Sequence, residues 1–246
     1  MKNVLVIDVG GTNLKVCMRG KALLKIPSGK KMTASGMAAA VLKSVNGWTY
    51  DAVSIGFPGT VKNGKPSHEP HNLSGGWTRL NYERAFGKPV KILNDAAMQA
   101  LGAYQGGRML FLGLGTGLGS ALIAEGVLMP LELAHLPYRR GKTYEDYVGL
   151  RGFRRMGRRK WTHHVHKVVA LLAAAMEADE VVLGGGQTKK LTRLPPQTRL
   201  SSNEYAIRGG QKLWDQPSRR TPASARGTET PHATRPRRPA HRSHHP

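Results

Sequence analysis

The first strand of the chain is the feature that most restricts its fold. Residues 4–9 are apolar apart from Asp8, and two glycines follow at once. A run of this kind predicts a buried strand that ends in a tight turn. Glycine backbone lets amide groups approach an anion closely, and short polar side chains add donors, so the turn suits phosphate oxygens. The residues of this predicted phosphate-binding turn are Gly10, Gly11, Thr12 and Asn13.

Asp8 lies at the end of the same predicted strand. A carboxylate in this place can hold Mg²⁺, either directly or through water. An ordinary strand followed by a Gly-Gly turn explains the segment equally well, so its function has to be decided by segments farther along the chain.

The composition is that of a globular protein. A chain of 246 residues with 39% hydrophobic residues can bury one or two cores. It contains no apolar run of membrane-spanning length and no export signal near residue 4, so we expect a soluble, cytoplasmic protein with no membrane partner.

Cys17 is the single cysteine. It excludes an internal disulfide and a thiolate zinc cluster, and we expect it to fill a gap in the core.

The formal net charge of +23 is unevenly distributed. Residues 215–246 carry seven arginines against Asp215 and Glu229, which leaves +18 on the rest of the chain. A body this cationic attracts polyanions, namely nucleic acid, an anionic membrane or inorganic polyphosphate, and charge alone does not choose among them. The tail from residue 215 is rich in Pro, Arg, Ser, Thr and His, so we expect a basic disordered tail.

Hydrophobic patterning predicts an α/β fold. In the first half, strands are predicted at residues 14–18, 21–26, 51–57 and 88–93, with helices at 37–45 and 96–104. In the second half, residues 108–123 read as two strands hinged on glycines, followed by a helix at 161–178, a strand at 180–183 and a short helix at 203–214. The second half repeats the order of the first, so we expect two duplicated α/β domains with a cleft between them. The predicted boundaries are 1–105, 106–214 and a tail at 215–246.

Three glycine-rich turns, each after an apolar strand, form a more specific pattern than any one of them. They lie at residues 10–13, 113–119 and 184–186, and an Asn-Asp pair at 94–95 closes a fourth strand. A phosphoryl donor needs amides from opposed turns, and the acceptor hydroxyl needs a carboxylate. The spacing matches neither a P-loop nor a dinucleotide-binding fingerprint.

The order of these motifs resembles the ROK family of sugar kinases, which shares the actin/hexokinase-like (ribonuclease H-like) fold. The resemblance covers about residues 4–214 and is carried by seven motifs. Within the family, the Asn-Leu…Trp and Glu-Leu-x-His elements look most like those of polyphosphate glucokinases. The motifs are Asp8-Val-Gly-Gly-Thr-Asn13, Gly56-Phe-Pro-Gly59, Asn72-Leu-Ser-Gly-Gly-Trp77, Leu93-Asn-Asp95, Leu114-Gly-Thr-Gly-Leu-Gly119, Glu132-Leu-Ala-His135 and Gly184-Gly-Gly186.

The resemblance implies phosphoryl transfer from polyphosphate or ATP to the 6-hydroxyl of glucose. Asp95 is then the catalytic base, and the other residues implied to bind the sugar are Asn72, Asn94, Glu132 and His135. Two alternatives remain open from the residues themselves. Asp95 precedes an Ala-rich helix and can be its N-cap, whereas Glu132 and His135 fit a surface turn or one half of a metal pair.

The resemblance also assigns the donor side of the cleft. Gly115, Thr116 and Gly117 are implied to bind phosphate, Gly184, Gly185 and Gly186 lie on the adenosine side, and Mg²⁺ is the implied metal at Asp8. Between residues 139 and 167 the chain carries ten Lys and Arg residues against two acidic ones. One-sided arginine runs repel themselves unless a polyanion neutralises them, so we expect polyphosphate to be preferred to ATP. The predicted polyphosphate stripe is Arg154, Arg155, Arg158 and Arg159.

The sequence departs from the family pattern in two places and has three rival functional interpretations. The segment after His135 lacks the family's cysteine-rich motif, so we expect no structural zinc, and Ala134 replaces a glycine usual at that position. A ROK-type repressor needs a helix-turn-helix for which residues 1–3 leave no room, which makes nucleic acid an unexpected partner. An actin-like ATPase has no use for the sugar motifs. An ATP-only hexokinase is the main alternative, and a homodimer is compatible with a sequence that defines no oligomeric state.

Overall fold

Two five-stranded sheets with the same strand order organise the described part of the chain, which is residues 2–202 and 204–215 of this computed structural model. In the first sheet the order is β3-β2-β1-β4-β7, with β1 antiparallel to β2, β2 antiparallel to β3, and parallel pairing from β1 through β4 to β7. The strands of the first half are β1 (Val4–Val9), β2 (Asn13–Cys17), β3 (Leu24–Pro27), β4 (Ala52–Phe57), the hairpin strands β5 (Val61–Lys62) and β6 (Lys65–Pro66), and β7 (Val90–Asn94).

The second sheet repeats this pattern in the order β10-β9-β8-β13-β14. β8, β9 and β10 form the antiparallel meander, and β13 and β14 continue from β8 in parallel. The duplication predicted from the sequence is therefore present in the topology. The strands are β8 (Met109–Leu114), β9 (Leu118–Ala124), β10 (Val127–Leu131), the small pair β11 (Pro137–Arg139) and β12 (Lys142–Thr143), β13 (Glu180–Gly184) and β14 (Thr198–Leu200).

The central strands are mostly apolar, apart from Asp8 and Ser54, because both faces of each sheet are covered. Every residue of β1 and of β4 is buried. Phe57 and Trp77, both fully buried, pack with ring centroids 5.8 Å apart in the first core. In the second core, Trp161 is fully buried and donates from Nε1 to the Val148 carbonyl at 2.9 Å.

The two helices predicted in the first half are present at Ala34–Ser44 and Asp95–Ala103, whereas Tyr82–Phe86 forms a short helix that was not predicted. The second half departs further from the predictions. The helix predicted at 161–178 begins earlier, because the arginine-rich residues before Trp161 are also helical but have no apolar periodicity to reveal it. It bends at Gly157, which has a φ of 72°. Short 3₁₀ turns cover Leu133–His135 and Gly186–Lys190. The α-helices are α1 (Ala34–Ser44), α2 (Tyr82–Phe86), α3 (Asp95–Ala103), α4 (Tyr144–Val148), α5 (Leu150–Ala175) and α6 (Glu204–Lys212).

The last helix returns to the first sheet. Ser54 of β4 donates from Oγ to the Gly210 carbonyl at 2.6 Å, and Trp214 donates from Nε1 to Ser54 Oγ at 2.9 Å. Gly210 lies so close to Val6 that a Cβ there would come within 2.5 Å of the valine side chain. The domain boundary near residue 105 stays a prediction, although α6 packs against the half of the chain to which that boundary does not assign it.

Among the described helices, none is both long enough and apolar enough to cross a bilayer. The predicted disordered tail lies outside the described residues from residue 216 onward.

Candidate active site

A cleft of about 620 Å³ collects most of the residues predicted for the site. The turns after β1 and β8 face it, together with the start of α3. Eight predicted residues lie outside its lining, namely Asp8, Asn13, Gly184, Gly186 and the four arginines of the stripe. The predicted residues that line it are Gly10, Gly11, Thr12, Asn72, Asn94, Asp95, Gly115, Thr116, Gly117, Glu132, His135 and Gly185.

The turn at residues 10–13, which is predicted to bind phosphate, is fixed by hydrogen bonds within the turn and from the residue that follows β3. The Gly10 amide donates to the Asn13 carbonyl at 3.1 Å, so Asn13 supports the turn through its backbone. Ser28, just after β3, binds the turn twice: its amide donates to the Thr12 carbonyl at 2.9 Å and its Oγ donates to the Gly10 carbonyl at 2.6 Å. The Gly11 amide is not used by these contacts, and it lies beside the sugar-loop residue Asn72.

Asp95 is the first residue of α3, and the preceding residue, Asn94, is the N-cap of this helix. Asn94 Oδ1 accepts from the Ala97 amide at 3.1 Å, which makes Asn94 the N-cap and leaves Asp95 Oδ1 to accept from the Ala96 amide at 2.7 Å. Asn94 Nδ2 also donates to the Gly59 carbonyl at 3.1 Å. One amide hydrogen of Asn94 remains for a ligand, so capping and sugar binding are compatible at this residue.

The electrostatic environment of Asp95 favours a proton acceptor that works near neutral pH. Burial at the floor of the cleft raises the pKa of the Asp95 carboxyl to about 7, and the negative charges of Asp8 and, more weakly, Glu132 add to the increase, which hydrogen bonds from backbone amides partly oppose. A base whose pKa lies near the working pH combines a useful ionised fraction with proton affinity.

Asp8 is buried next to this carboxylate and has its own counter-ion. Its Oδ2 lies 3.2 Å from Lys15 Nζ, and its side chain is 11% exposed. Magnesium in kinase sites is commonly held by one or two carboxylates together with donor phosphates and water. The oxygen donors of Asp8 fit that arrangement, since the carboxylate is close enough to Asp95 to raise the pKa of that group.

The predicted sugar-binding Glu132 and His135 lie at the two ends of the 3₁₀ turn (Leu133–His135). Ser120, which is buried, positions this turn because its Oγ donates to the Leu131 carbonyl at 3.0 Å and accepts from the Leu133 amide at 3.2 Å. Glu132 and His135 are both exposed at the cleft, where their polar groups can reach hydroxyls.

Glu145 is a cleft residue that the sequence analysis did not assign to the site. It lines the cleft, and its Oε2 accepts from the Leu118 amide at 3.2 Å at the end of the second phosphate turn. A Cβ on Gly117 would overlap this carboxylate, so a larger residue there would displace the Glu145 side chain from its present position. The signal was present in the sequence as the pair Thr143 and Asp146, a capping box that starts α4 and places Glu145 in its first turn.

The second turn also depends on the start of α5. The Leu150 amide donates to the carbonyls of Gly115 and Thr116, both at 3.2 Å. Gly119 of β9 approaches the first turn of α3 so closely that a Cβ there would lie 2.9 Å from Ala96 Cβ. The glycine-rich turn at residues 113–119 and the helix that carries Asp95 are therefore packed directly together.

The predicted residues of the adenosine-side turn and of the arginine stripe lie in different places in the structure. Gly185 lines the cleft in the left-handed region with φ 86°, whereas Gly184 ends β13 inside the sheet and Gly186 begins a 3₁₀ turn. Arg155 is exposed, donates from Nη2 to the Asp146 carbonyl at 2.9 Å and lies over the Tyr147 ring. Arg158 and Arg159 line a different cavity of about 390 Å³.

The order of these elements agrees with a known family model, whose description is the ROK family and which matches residues 4–130. The chain belongs to the ROK family. A polyphosphate glucokinase of Mycobacterium leprae is 28% identical over 214 residues, which are 77% of this chain and 65% of that protein. The chain thus spans slightly less than two thirds of the length of this relative.

Solved structures of ROK proteins have the same fold. The inorganic polyphosphate/ATP-glucomannokinase of Arthrobacter sp. strain KM superposes with a TM-score of 0.72 at 24% identity, covering 87% of this chain and 98% of that one. A ROK family glucokinase of Streptomyces griseus, in complex with glucose and AMPPNP, gives a TM-score of 0.70 at 18% identity over 86% and 98%. The predicted actin/hexokinase-like fold is confirmed.

Proposed function

We propose that this ROK protein is a sugar kinase that transfers a phosphoryl group from polyphosphate or ATP to the 6-hydroxyl of glucose. The observation that carries the proposal is the position of Asp95, a carboxyl with a pKa of about 7 in a cleft that two glycine turns also line. In its ionised form Asp95 accepts the hydroxyl proton as the phosphoryl group moves to the sugar oxygen. Such a transition state is loose, so positioning contributes more than base strength.

The sugar side of the cleft supplies hydroxyl-binding groups of both kinds. Glu132 offers acceptors, Asn94 keeps one free amide hydrogen, and Asn72 and His135 add further polar groups. This combination suits a polyhydroxylated ligand, because each sugar hydroxyl both donates and accepts. The glucokinase names of the relatives support glucose as the acceptor.

The donor side consists mainly of two backbone turns, and Lys30 is the one lysine or arginine among the described residues that line the cleft. The amides of Gly10 and Gly115 are bonded within the turns at residues 10–12 and 115–117, and we assign the phosphate groups of the donor to the amides that these bonds leave over. Asp8 would hold Mg²⁺, which when bound neutralises charge on the donor phosphates. Glu145 holds the second turn in place through the Leu118 amide.

We assign polyphosphate as the preferred donor and ATP as a second one. Arg154, Arg155, Arg158 and Arg159 are exposed along α5, whose first residue contacts the second phosphate turn. A long polyanion reaches such a stripe and a nucleotide does not. Names of relatives that include polyphosphate support this choice.

Polyphosphate use should therefore weaken more than ATP use as salt rises, because exposed charges are screened over about 10 Å at 0.1 M.

The decisive experiment is a product assay with purified full-length protein. Glucose is supplied with either polyphosphate or ATP in the presence of Mg²⁺, and glucose 6-phosphate is measured at several salt concentrations. A rise in melting temperature with glucose alone reports sugar binding independently. Absence of glucose 6-phosphate with both donors would disprove the proposal, and product from ATP only would disprove the donor assignment.

A further inference from the structure

A second, smaller cavity lies on α5, where none of the catalytic groups is found. Its volume is about 390 Å³, and α5 forms one wall while the segment before Pro195 forms the other. None of the side chains that line it is acidic. The lining residues are Arg158, Arg159, Thr162, His163, His166, Thr192 and Arg193.

The arginines of this cavity are not neutralised by the protein. Among the described residues, Arg158, Arg159 and Arg193 form no ion pair, whereas Arg151 on the same helix is paired with Asp146 at 3.1 Å. Three guanidinium groups around one small cavity repel each other unless an anion lies among them. The uncompensated charge therefore marks a place for a ligand.

Thr162 gives a second, independent indication of a ligand. The residue is only 8% exposed, it lines the cavity, and its Oγ1 has no hydrogen-bond partner among the described residues. A buried hydroxyl without a partner is costly, and most buried polar atoms are paired. Threonine in a helix populates two χ1 rotamers, so a change of rotamer would turn this buried hydroxyl toward the cavity and a bound group.

His166 links the two walls through one ring nitrogen. Its Nε2 lies 3.1 Å from the Arg193 carbonyl, and since a carbonyl only accepts, Nε2 carries the hydrogen. This contact holds Arg193 against α5. The cavity thus presents guanidinium and hydroxyl donors on two elements that are tied together.

We infer that this cavity is an anion site that binds a phosphoryl group, separate from the catalytic cleft. Guanidinium forks and hydroxyls match a tetrahedral oxyanion, which offers several acceptor oxygens and needs no acceptor from the protein. The phosphoryl group belongs either to a distal segment of polyphosphate or to free phosphate or a phosphate ester. Binding itself does not depend on the proposed kinase activity.

Binding is tested by calorimetry with orthophosphate and tripolyphosphate on the full chain at constant ionic strength. The double variant Arg158→Gln/Arg193→Gln should weaken binding of both by about 10- to 100-fold. The matched control Lys43→Gln/Lys62→Gln removes the same charge from exposed positions on other elements and should change affinity less than about twofold. Equal loss in both variants, or no loss in the first, would overturn the inference.

Thr162→Val separates a ligand-binding role from a structural one. The substitution should weaken orthophosphate binding by about 3- to 10-fold while leaving the melting temperature unchanged or higher, because it removes a hydroxyl that has no partner. A lower melting temperature with unchanged affinity would show that the hydroxyl serves packing alone and would contradict its place in the site.

Kinetics distinguishes the two sources of the phosphoryl group. If the cavity holds a distal part of the donor, which rests on the proposed function, the double variant raises the KM for long-chain polyphosphate and leaves the KM for ATP unchanged. If it holds free phosphate or an ester, the single variant Arg193→Gln, which lies outside the arginine stripe, leaves both KM values unchanged and lowers only the calorimetric affinity. Either result supports the site, and calorimetry still decides if the protein proves not to be a kinase.

Discussion

The cleft and the cavity on α5 are opposite in charge, although we assign a phosphate-bearing ligand to both. The cleft is lined by the carboxylates of Asp95, Glu132 and Glu145, with amides as its main anion-binding groups. The cavity is lined by arginines without a carboxylate. Arginines beside Asp95 would lower its pKa and reduce its proton affinity. Separation lets the protein attract a polyanion without weakening the base.

Loss of the base should give the largest effect. Asp95→Asn keeps the shape of the side chain and removes the proton acceptor, so kcat should fall by about 10²- to 10⁴-fold with little change in glucose affinity. Asp215→Asn, an exposed aspartate outside the cleft, is the matched control and should retain wild-type turnover. Near-normal kcat in Asp95→Asn would mean that the cleft does not depend on a carboxylate base.

Crowding the second phosphate turn should have the next largest effect. Gly117→Ala forces the Glu145 carboxylate to move, so kcat/KM for either donor should fall by about 10- to 100-fold, which is about 1.4–2.8 kcal/mol. Gly115→Ala is the matched control, because a Cβ there meets nothing within 4 Å. Equal losses in the two variants would show that contact with the donor, rather than with Glu145, requires glycine in this turn.

The pH dependence of the free enzyme should report the environment of Asp95. Only the ionised carboxylate accepts a proton, so kcat/KM should rise with pH up to about 7 and fall about tenfold per pH unit well below that value. The residual activity of Asp95→Asn should lack this dependence. An apparent pKa near that of an ordinary aspartate would show that the surroundings of Asp95 do not raise the pKa of its carboxyl. The difference in charge between the cleft and the cavity would then have no effect on the base.

The smallest expected effect is on stability. Because the pKa of Asp95 is higher in the folded than in the unfolded protein, its ionisation progressively destabilises the fold as pH rises from about 4 to 7. Asp95→Asn should therefore raise the melting temperature by about 2–6 °C at pH 8 and leave it nearly unchanged at pH 4. A scan at the two pH values measures this, and a lower melting temperature at pH 8 would contradict it.

Sequence reasoning identified the parts of the site that are local in the chain. The strand and turn at residues 4–13 and the pair at 94–95 could be predicted, because a buried strand and its following turn are encoded by adjacent residues. The support of these parts could not be predicted. Ser28, Lys15 and Glu145 act across turns and strands through contacts that depend on the three-dimensional packing. The early start of α5 was missed because charged residues hide its periodicity.

The return of α6 to the first sheet has a consequence for the order in which the protein matures. Residues 4–94 provide all five strands of that sheet, but Ser54 and Val6 are covered only when residues 204–214 arrive. During translation the first half emerges with this surface bare, and it stays so until the ribosome has added more than a hundred further residues. Contacts between residues so far apart in the sequence form slowly, and apolar surface that stays exposed meanwhile binds chaperones and other nascent chains. Completion of the first half of the fold therefore waits until residues 204–214 have been synthesised.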